Sequence, residues 1–348
     1  FAYRMPTLED LLHRLGPELG RVPRLTRSHL TSVRLIVRPE GVYENRGDSL
    51  IGILTSGQIW STAYYCANDE SELSTGQGVL TTLFRKATYE LIDSNDRRVS
   101  LFARRGVDVM HYAEGFEQLI ASMALNSLCT YMTCFFRPTG EEDFLHGLLS
   151  QWRGYGTDGG YVLHFSRRKL LAAIDRCVTA DRLNYDLQDV HYSVNNPLKD
   201  DVLRHQDAYL QAYFAHLDEL AKPINFNKTA VRNPIAGLPG GPLEALLNYL
   251  VHTKNKHFAE ERETRLTLTQ LVPLAGERLP VHHFNRAGLV VPYTQTPAAT
   301  FNILDALEWI VVGPAPRLKS RFKSVTQLVQ QSGRRIFVRA SHIPFTRL

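Results

Sequence analysis

The sequence predicts an α+β protein with a single large domain, in which helices flank a central mixed or antiparallel sheet. Helix-like and strand-like segments alternate along the 348 residues. Hairpin-like neighbours and long loops interrupt the strict strand–helix rhythm of a parallel α/β fold. No glycine fingerprint of a Rossmann or P-loop nucleotide site is present. The hydrophobic and charged fractions, 44% and 22%, are those of an ordinary globular protein with a sizeable core.

Strands are predicted where β-branched and aromatic residues cluster between turn residues. The segment 129–136, Cys-Thr-Tyr-Met-Thr-Cys-Phe-Phe, carries no charge and is therefore predicted to be a central strand. The predicted strands are residues 32–37, 58–63, 129–136, 161–165, 189–193, 263–268, 309–314 and 336–339.

Helices are predicted where apolar residues recur at intervals of three and four. Asp48 is the predicted N-cap of a short helix that stops at Gly57, and Pro242 suits the first turn of a later helix. The predicted helices are residues 8–15, 48–54, 72–92, 109–128, 144–152, a segment after Arg167, 202–221 and 242–254. The last third of the chain is predicted to form loops and short strands.

The chain divides into three predicted parts. Residues 1–41 form an N-terminal extension, residues 42–316 the main α+β domain, and residues 317–348 a basic C-terminal segment packed on that domain. The segment 222–241 is rich in proline, glycine and asparagine and is predicted to be a long loop, a feature that is often functional.

Several absences predict a soluble cytoplasmic protein. No apolar run approaches the ~18 residues of a membrane span, and the first residues lack the plan of a signal peptide. The four cysteines are scattered in apolar surroundings, which indicates thiols in a reducing compartment. Neither the cysteines nor the histidines have the spacing of metal ligands, so no metal is predicted.

The C-terminal segment has an uneven charge distribution. From Arg317 to the end there are eight basic residues and no acidic one. Such a segment either contacts the phosphate of a nucleic acid or nucleotide, or is a solvated face balanced elsewhere in the fold. The basic residues are Arg317, Lys319, Arg321, Lys323, Arg334, Arg335, Arg339 and Arg347.

A charged cluster at residues 260–265, Glu-Glu-Arg-Glu-Thr-Arg, is the first candidate for a functional site. If a strand begins at Glu263, then Glu263 and Arg265 share one face, and a strand that extends back to Glu261 puts Glu261 on that face too. Carboxylates beside a guanidinium and a lysine can polarise a hydroxyl or stabilise a cationic sugar centre. The alternative is an exposed, ion-paired helix end.

Two further constellations contain aromatic residues. Trp152, Tyr155 and Tyr161 surround a glycine-rich turn, which suits a clamp for a flat ring or a phosphate, or else a turn with core aromatics. Trp60 precedes the polar turn at residues 67–70, whose Asn68 and Asp69 either cap the next helix or line a site.

A series of different short motifs occurs in a definite order across residues 42–316. They are Tyr43-Glu44-Asn45-Arg46, Leu50-Ile51-Gly52-Ile53-Leu54, Ile59-Trp60, Asn68-Asp69-Glu70-Ser71-Glu72, Cys134-Phe135, Asp143, Trp152-Arg153-Gly154-Tyr155-Gly156, Gly160 to Phe165, Val190-His191-Tyr192, Lys254, Phe258, Glu261-Arg262-Glu263-Thr264-Arg265, Pro292-Tyr293 and Ile310-Val311-Val312-Gly313-Pro314. In this order they resemble a bacterial and phage family, domain of unknown function 2971. Glu44 departs from the pattern, which has histidine there.

The ordered set also resembles the plan of ADP-ribosyltransferases. The resemblance implies a split sheet and NAD as a substrate, without a metal. It implies an early His or Arg that grips the NAD ribose, a Tyr that stacks on nicotinamide, and a late Glu that stabilises the oxocarbenium-like centre. In this chain Arg46 corresponds to the first, Tyr155 or Tyr161 to the second, and Glu261 or Glu263 to the third. Glu44 leaves both an active and an inactive or altered site open.

The site residues that this resemblance implies form two groups. The catalytic group is Glu261, Glu263 and Arg265, and the NAD-binding group is Tyr43, Arg46, Trp60, Asn68, Asp69, Trp152, Tyr155 and Tyr161.

The function implied is an intracellular, NAD-using, ADP-ribosyltransferase-like effector in phage defence or toxin–antitoxin conflict. The alternative is a nucleic-acid-binding or nucleotide-sensing protein without catalysis, which would use the basic C-terminal segment and Arg167-Arg168.

Overall fold

The computed structural model describes residues 33–37, 49–66, 76, 78–138, 140–155, 160–181, 184–221, 240–271, 280–286, 288–296 and 302–343. The strands are β1 (Val33–Val37), β2 (Ile59–Ala63), β3 (Leu128–Phe136), β4 (Tyr161–Phe165), β5 (Asn184–Asp189), β6 (Glu263–Leu271), β7 (His282–Arg286), β8 (Leu289–Thr296), β9 (Leu307–Val312) and β10 (Phe337–Ala340). The helices are α1 (Ser49–Ser56), α2 (Thr81–Asp93), α3 (Arg97–Arg104), α4 (Val109–Ser127), α5 (Glu141–His146), α6 (Leu149–Tyr155), α7 (Arg167–Asp181), α8 (Pro197–Leu203), α9 (Gln206–Ala221), α10 (Gly240–Val251) and α11 (Leu318–Gln331).

One sheet contains all ten of these strands, which confirms the predicted α+β class with a central, mainly antiparallel sheet. Its main path runs β10-β9-β4-β1-β3-β2-β8-β7, and β6 and β5 extend from β3. Among the described strands only β9 and β10 pair in parallel. β1 and β10, which come from the two ends of the described chain, are part of the same sheet.

The sheet forks at β3. β6 pairs with β3 along its whole length. Because a strand has only two edges, β1 and β2 must share the edge that remains. β2 pairs opposite Tyr131 and Met132, whereas β1 pairs opposite Phe136 at the end of the strand. The ADP-ribosyltransferase resemblance implied a split sheet, but a fork in one connected sheet does not by itself identify that fold.

The first face of the sheet covers the main hydrophobic core. Alternate residues of each strand point to this face, among them Phe135 of β3 and Leu266 of β6. Helices α1, α7 and α11 pack on it with their apolar sides. The predicted central strand 129–136 is therefore confirmed, because β3 lies between β6 and the β1–β2 edge.

The second face carries a helical layer with its own core. Helices α2, α3, α4, α8, α9 and α10 surround Phe84, Phe116 and Tyr213, whose rings contact one another. A buried hydrogen bond of 2.7 Å joins Thr88 Oγ1 to Tyr213 Oη. The short helices α5 and α6 cover β4 and β9 on the same face.

Most predicted elements are confirmed, with small differences at their ends. Gly57 ends α1 as expected, with φ of +69° and its amide donating to the Ile53 carbonyl. Pro242 lies in the first turn of α10. The predicted helix 8–15, the N-cap Asp48 and nearly all of the loop 222–241 lie outside the described residues.

Four predictions were wrong in detail, and two helices were not predicted. The strand predicted at 189–193 is β5, which ends at Asp189. The helix predicted at 144–152 is two helices, because Gly147 has φ of +76°. The helix predicted at 202–221 is divided between α8 and α9. The helix predicted at 72–92 is α2, which begins only at Thr81. Helices α3 and α11 were not predicted.

Two glycines make room for the buried indole of Trp152. A Cβ added at Gly147 would lie 2.7 Å from Trp152 Nε1, and one at Gly313 would lie 2.6 Å from Trp152 Cζ3. The Gly313 amide also donates to the Gly160 carbonyl at 2.8 Å. The chain therefore needs glycine at both positions to seat this ring.

Gly313→Ala is expected to lower the free energy of unfolding by about 1–3 kcal/mol, because the added methyl overlaps a buried ring and backbone. Urea denaturation measures the change. Gly115→Ala is the control, because Gly115 is exposed in α4 with nothing within 4 Å of the added Cβ. That variant is expected to gain about 0.5–1 kcal/mol, so equal losses in both variants would contradict the packing argument.

In the part of the chain that the structure describes, no helix combines the length and the apolar character needed to cross a membrane.

Candidate functional site

The charged cluster predicted at residues 260–265 lies where β6 begins. Glu263 and Arg265 are two residues apart, so both side chains point to the second face of the sheet. In the register with β3, Glu263 lies opposite Phe136 and Arg265 lies opposite Cys134. A 3₁₀ helix, Lys256–Glu261, leads into the strand through Arg262, which has a left-handed backbone with φ of 45°.

Arg265 is buried and joins the sheet to the helical layer. Its Nε donates to Glu263 Oε1 at 2.7 Å, and its Nη2 donates to Glu263 Oε2 at 3.2 Å. Its Nη1 donates to the carbonyl of Val251, the last residue of α10. A cation at this position also interacts favourably with the negative end of the helix dipole.

Lys254 links the two carboxylates of the cluster. Its Nζ donates to Glu261 Oε2 at 2.8 Å and to Glu263 Oε2 at 3.0 Å. The same Nζ lies 4.8 Å from the centre of the Phe258 ring, within the range of a cation–π contact. Two carboxylates and two cations thus form one compensated network.

The environment of Glu263 keeps it ionised although the residue is only 2% exposed. Burial acts to raise the pKa of its carboxyl. The charge and hydrogen bonds of Arg265, the charge of Lys254 and a hydrogen bond from the Cys134 thiol together outweigh burial and lower the pKa to about 2. Glu263 is therefore a carboxylate whose two oxygens are both engaged inside the protein.

Two further titratable residues adjoin the network. Tyr192 Oη accepts the Glu263 amide proton at 2.6 Å, and burial is the main reason why the pKa of Tyr192 rises to about 12. His252 is fully buried, and burial with the nearby Arg265 charge lowers its pKa to about 4. His252 Nδ1 donates to the Asn248 carbonyl at 3.0 Å, whereas Nε2 has no hydrogen-bond partner among the described residues.

Glu261 differs from Glu263 in its access to solvent. Its side chain is 17% exposed, against 2% for Glu263. One oxygen, Oε2, accepts the Lys254 hydrogen bond. Glu260, the next residue back, is exposed and accepts a hydrogen bond from Ser150 Oγ of α6 at 2.6 Å. Of the two carboxylates that bind Lys254, that of Glu261 is the more accessible to solvent.

The structure brings Glu261, Glu263 and Arg265 together, but Trp152, Tyr161 and Trp60 lie elsewhere. Trp152 is 1% exposed, packs on Val162 and Val311, and donates from Nε1 to the His146 carbonyl at 2.8 Å.

Tyr161 points to the opposite, first face of the sheet, where Arg321 lies 5.2 Å from its ring centre. Trp60 stacks on Tyr293, with ring centres 3.9 Å apart, near the other end of the sheet. Tyr155 is the last residue of α6, and Tyr43, Arg46, Asn68 and Asp69 lie outside the described residues.

Four residues of the cluster were not predicted as site residues. They are Cys134, Tyr192, Lys254 and Phe258, all of which contact or adjoin the carboxylates. Each belongs to one of the ordered family motifs, so the signal was present in the sequence. The described residues contain no group of three or more His, Cys, Asp or Glu side chains placed to hold a metal ion.

Comparison with known proteins gives one match. The sequence model of a family described as "Protein of unknown function (DUF2971)" matches residues 151–266, about a third of the chain. No curated protein and no solved structure matches the chain. The matched segment contains Tyr192, Lys254, Phe258, Glu261, Glu263 and Arg265. Residues 151–266, which supply nearly all of this charged cluster, are therefore similar to the DUF2971 family.

Proposed function

We propose that the protein is an NAD-using transferase of the ADP-ribosyltransferase type, and that Glu261 supplies its catalytic carboxylate. The observation that carries the proposal is the position of Glu261, a partly exposed carboxylate that Lys254 holds at the edge of a buried, fully paired ion network. The resemblance to a bacterial and phage family extends the proposal to an intracellular effector in phage defence or toxin–antitoxin conflict.

The contacts within the cluster favour Glu261 over Glu263 for this role. Arg265 and Lys254 saturate both oxygens of Glu263, and a substrate would have to displace buried ion pairs to reach it. Breaking such pairs costs about 3–5 kcal/mol. The Glu261 side chain is 17% exposed, so a substrate can approach its carboxylate from solvent. Glu263 is then a positioning residue, because it fixes the Lys254 ammonium that in turn orients Glu261.

The reaction would break the bond between the nicotinamide nitrogen and C1′ of the ribose. Nicotinamide leaves with the bonding electron pair, and C1′ becomes an oxocarbenium-like centre. The Glu261 carboxylate stabilises this positive charge, as carboxylates do in glycoside hydrolysis. An acceptor oxygen or nitrogen then bonds to C1′ and releases its proton. Phe258, which is partly exposed beside Lys254, would contact the nicotinamide ring in this proposal.

Glu261→Gln is expected to lower the rate of nicotinamide release from NAD by about 10²–10³-fold, because an amide cannot offset the developing charge. The measurement is the release of labelled nicotinamide by the full chain. Glu260→Gln is the matched control, since Glu260 is exposed and makes its hydrogen bond to Ser150 rather than to Lys254. It is expected to keep the unaltered rate.

Thermal denaturation of both variants checks that the fold is retained. Full turnover by the folded Glu261→Gln variant would exclude Glu261 as the catalytic carboxylate. Binding of NAD without any release of nicotinamide would overturn the transferase proposal and favour a nucleotide sensor.

A further inference from the structure

Helix α11 in the C-terminal segment divides sharply into two sides. Its inner side packs on the main core through residues such as Phe322, Val325 and Val329. Every residue of the helix that is classed as exposed is lysine, serine or glutamine. The helix contains no acidic residue, and neither does the chain from residue 317 to its end.

The exposed side therefore consists of residue types that contact nucleic acid backbones. Lysine, serine and glutamine side chains are among the usual donors to phosphate oxygens. Lys319 and Lys323 are one turn apart, so their side chains are neighbours on this side. The exposed residues include Lys319, Ser320, Lys323, Ser324, Gln327 and Gln330.

The basic residues of the segment separate into paired and unpaired groups. Arg334 pairs with Asp305 at 2.6 Å, and Arg321 lies over the Tyr161 ring. Arg317, which directly precedes α11, and Arg335, four residues after the helix ends at Gln331, are exposed, as are Lys319 and Lys323. None of these four forms an ion pair with an acidic side chain in the described ranges of the chain.

We infer that the exposed side of α11, together with Arg317 just before the helix and Arg335 shortly after it, binds the phosphate backbone of double-stranded nucleic acid. Fourteen residues make the helix about 21 Å long. One strand of a B-form duplex carries about six phosphates over that length. The four cations thus face a line of negative charge that they partly neutralise.

The composition of this side distinguishes a duplex from other anionic partners. A helix that binds a membrane surface places its apolar side in the lipid, but the apolar side of α11 is already packed on the core. Single-stranded nucleic acids bind through aromatic residues that stack on bases, and no exposed residue of α11 is aromatic. A backbone of regularly spaced phosphates remains the best complement, and it implies binding without sequence preference.

The test measures binding of the full chain to a fluorescent DNA duplex of about 20 base pairs, roughly three times the length of α11, by anisotropy over a range of salt concentrations. Lys319→Gln/Lys323→Gln is expected to weaken binding at low salt by about tenfold or more. It is also expected to lower the slope of log affinity against log salt by about two, one for each lost phosphate contact.

Arg97→Gln/Arg104→Gln is the matched control, because it removes two exposed cations from α3 and changes the net charge equally. It is expected to bind the duplex like the unaltered chain. Unchanged binding by the α11 variant, or an equal loss in the α3 control, would overturn the inference. Binding to phosphatidylserine vesicles that depends on Lys319 and Lys323, without binding to the duplex, would overturn it in favour of a membrane surface.

Discussion

Arg265→Met is expected to lower the free energy of unfolding by about 3–5 kcal/mol, the usual cost of removing one partner of a buried ion pair. The variant would leave Glu263 buried with Lys254 as its only remaining cation. It would also leave the Val251 carbonyl at the end of α10 without the Arg265 donor. Urea denaturation at neutral pH measures the difference.

Two companion variants make this result interpretable. Lys169→Met removes a partly exposed ion pair with Glu308 and is expected to cost less than about 1 kcal/mol. Glu263→Gln/Arg265→Met removes both charges of the buried pair and is expected to recover part of the loss, because no uncompensated charge remains. A loss in Arg265→Met no larger than in Lys169→Met would show that the network does not stabilise the fold.

The protein is expected to lose stability in two acid steps. The pKa of His252 is about 4 in the folded protein, against 6.5 for the free group. Between those pH values the unfolded chain binds a proton at this histidine, whereas the folded protein does not. The free energy of unfolding therefore decreases as the pH is lowered from 6.5 to 4. The loss reaches about 3 kcal/mol near pH 4.

The second acid step belongs to Glu263. Its pKa is about 2 when folded, against 4.5 for the free group. The stabilisation from this carboxylate is complete above pH 4.5 and is lost as pH falls towards 2, by a further ~3 kcal/mol. Urea midpoints measured from pH 7 to pH 3 would show the first step and the start of the second.

His252→Asn separates the two steps, because asparagine keeps a donor near the Asn248 carbonyl but does not titrate. It is expected to flatten the pH dependence between 6.5 and 4 and to leave the step below 4.5. The control, His111→Asn, removes a histidine whose side chain is 86% exposed. If His111→Asn flattened the curve as much as His252→Asn, the buried histidine would not be the cause.

The sequence predicted best those elements whose local pattern agrees with their environment. β3 is apolar and uncharged because both of its faces are covered, and its limits were predicted to within one residue. β5 was misplaced because its sequence, Asn-Tyr-Asp-Leu-Gln-Asp, is mostly polar. Only Tyr185 and Leu187 face the core, and the pairing with β6 supplies the rest of its stability.

Helix α11 was missed although its sequence contains the necessary pattern. Leu318, Phe322, Val325 and Val329 recur at helical spacing and pack on the core. The surrounding lysine, serine and glutamine residues make the segment resemble a polar loop. The low apolar content of the segment therefore drew attention away from the helical periodicity of its few apolar residues.

For the site, the sequence identified the charged residues but not their surroundings. Glu261 and Glu263 are two positions apart and chemically identical, yet one reaches solvent and the other is enclosed by Arg265, Lys254 and Cys134. That difference depends on where α10 and β3 lie, which spacing alone does not reveal. The same reason explains Trp152. The glycine-rich turn after it suggested either an open clamp or a turn with core aromatics, and the Trp152 ring is buried against Gly147 and Gly313.

The fork at β3 has a consequence for how the molecule opens. β3 is hydrogen bonded to β6, β2 and β1, and each of these strands leads to a different branch of the sheet. Two branches can separate from each other only if hydrogen bonds between β3 and one of its neighbouring strands break. Local opening at the outer strands of any branch can occur independently, whereas separating a whole branch from the other two requires breaking its own pairing with β3.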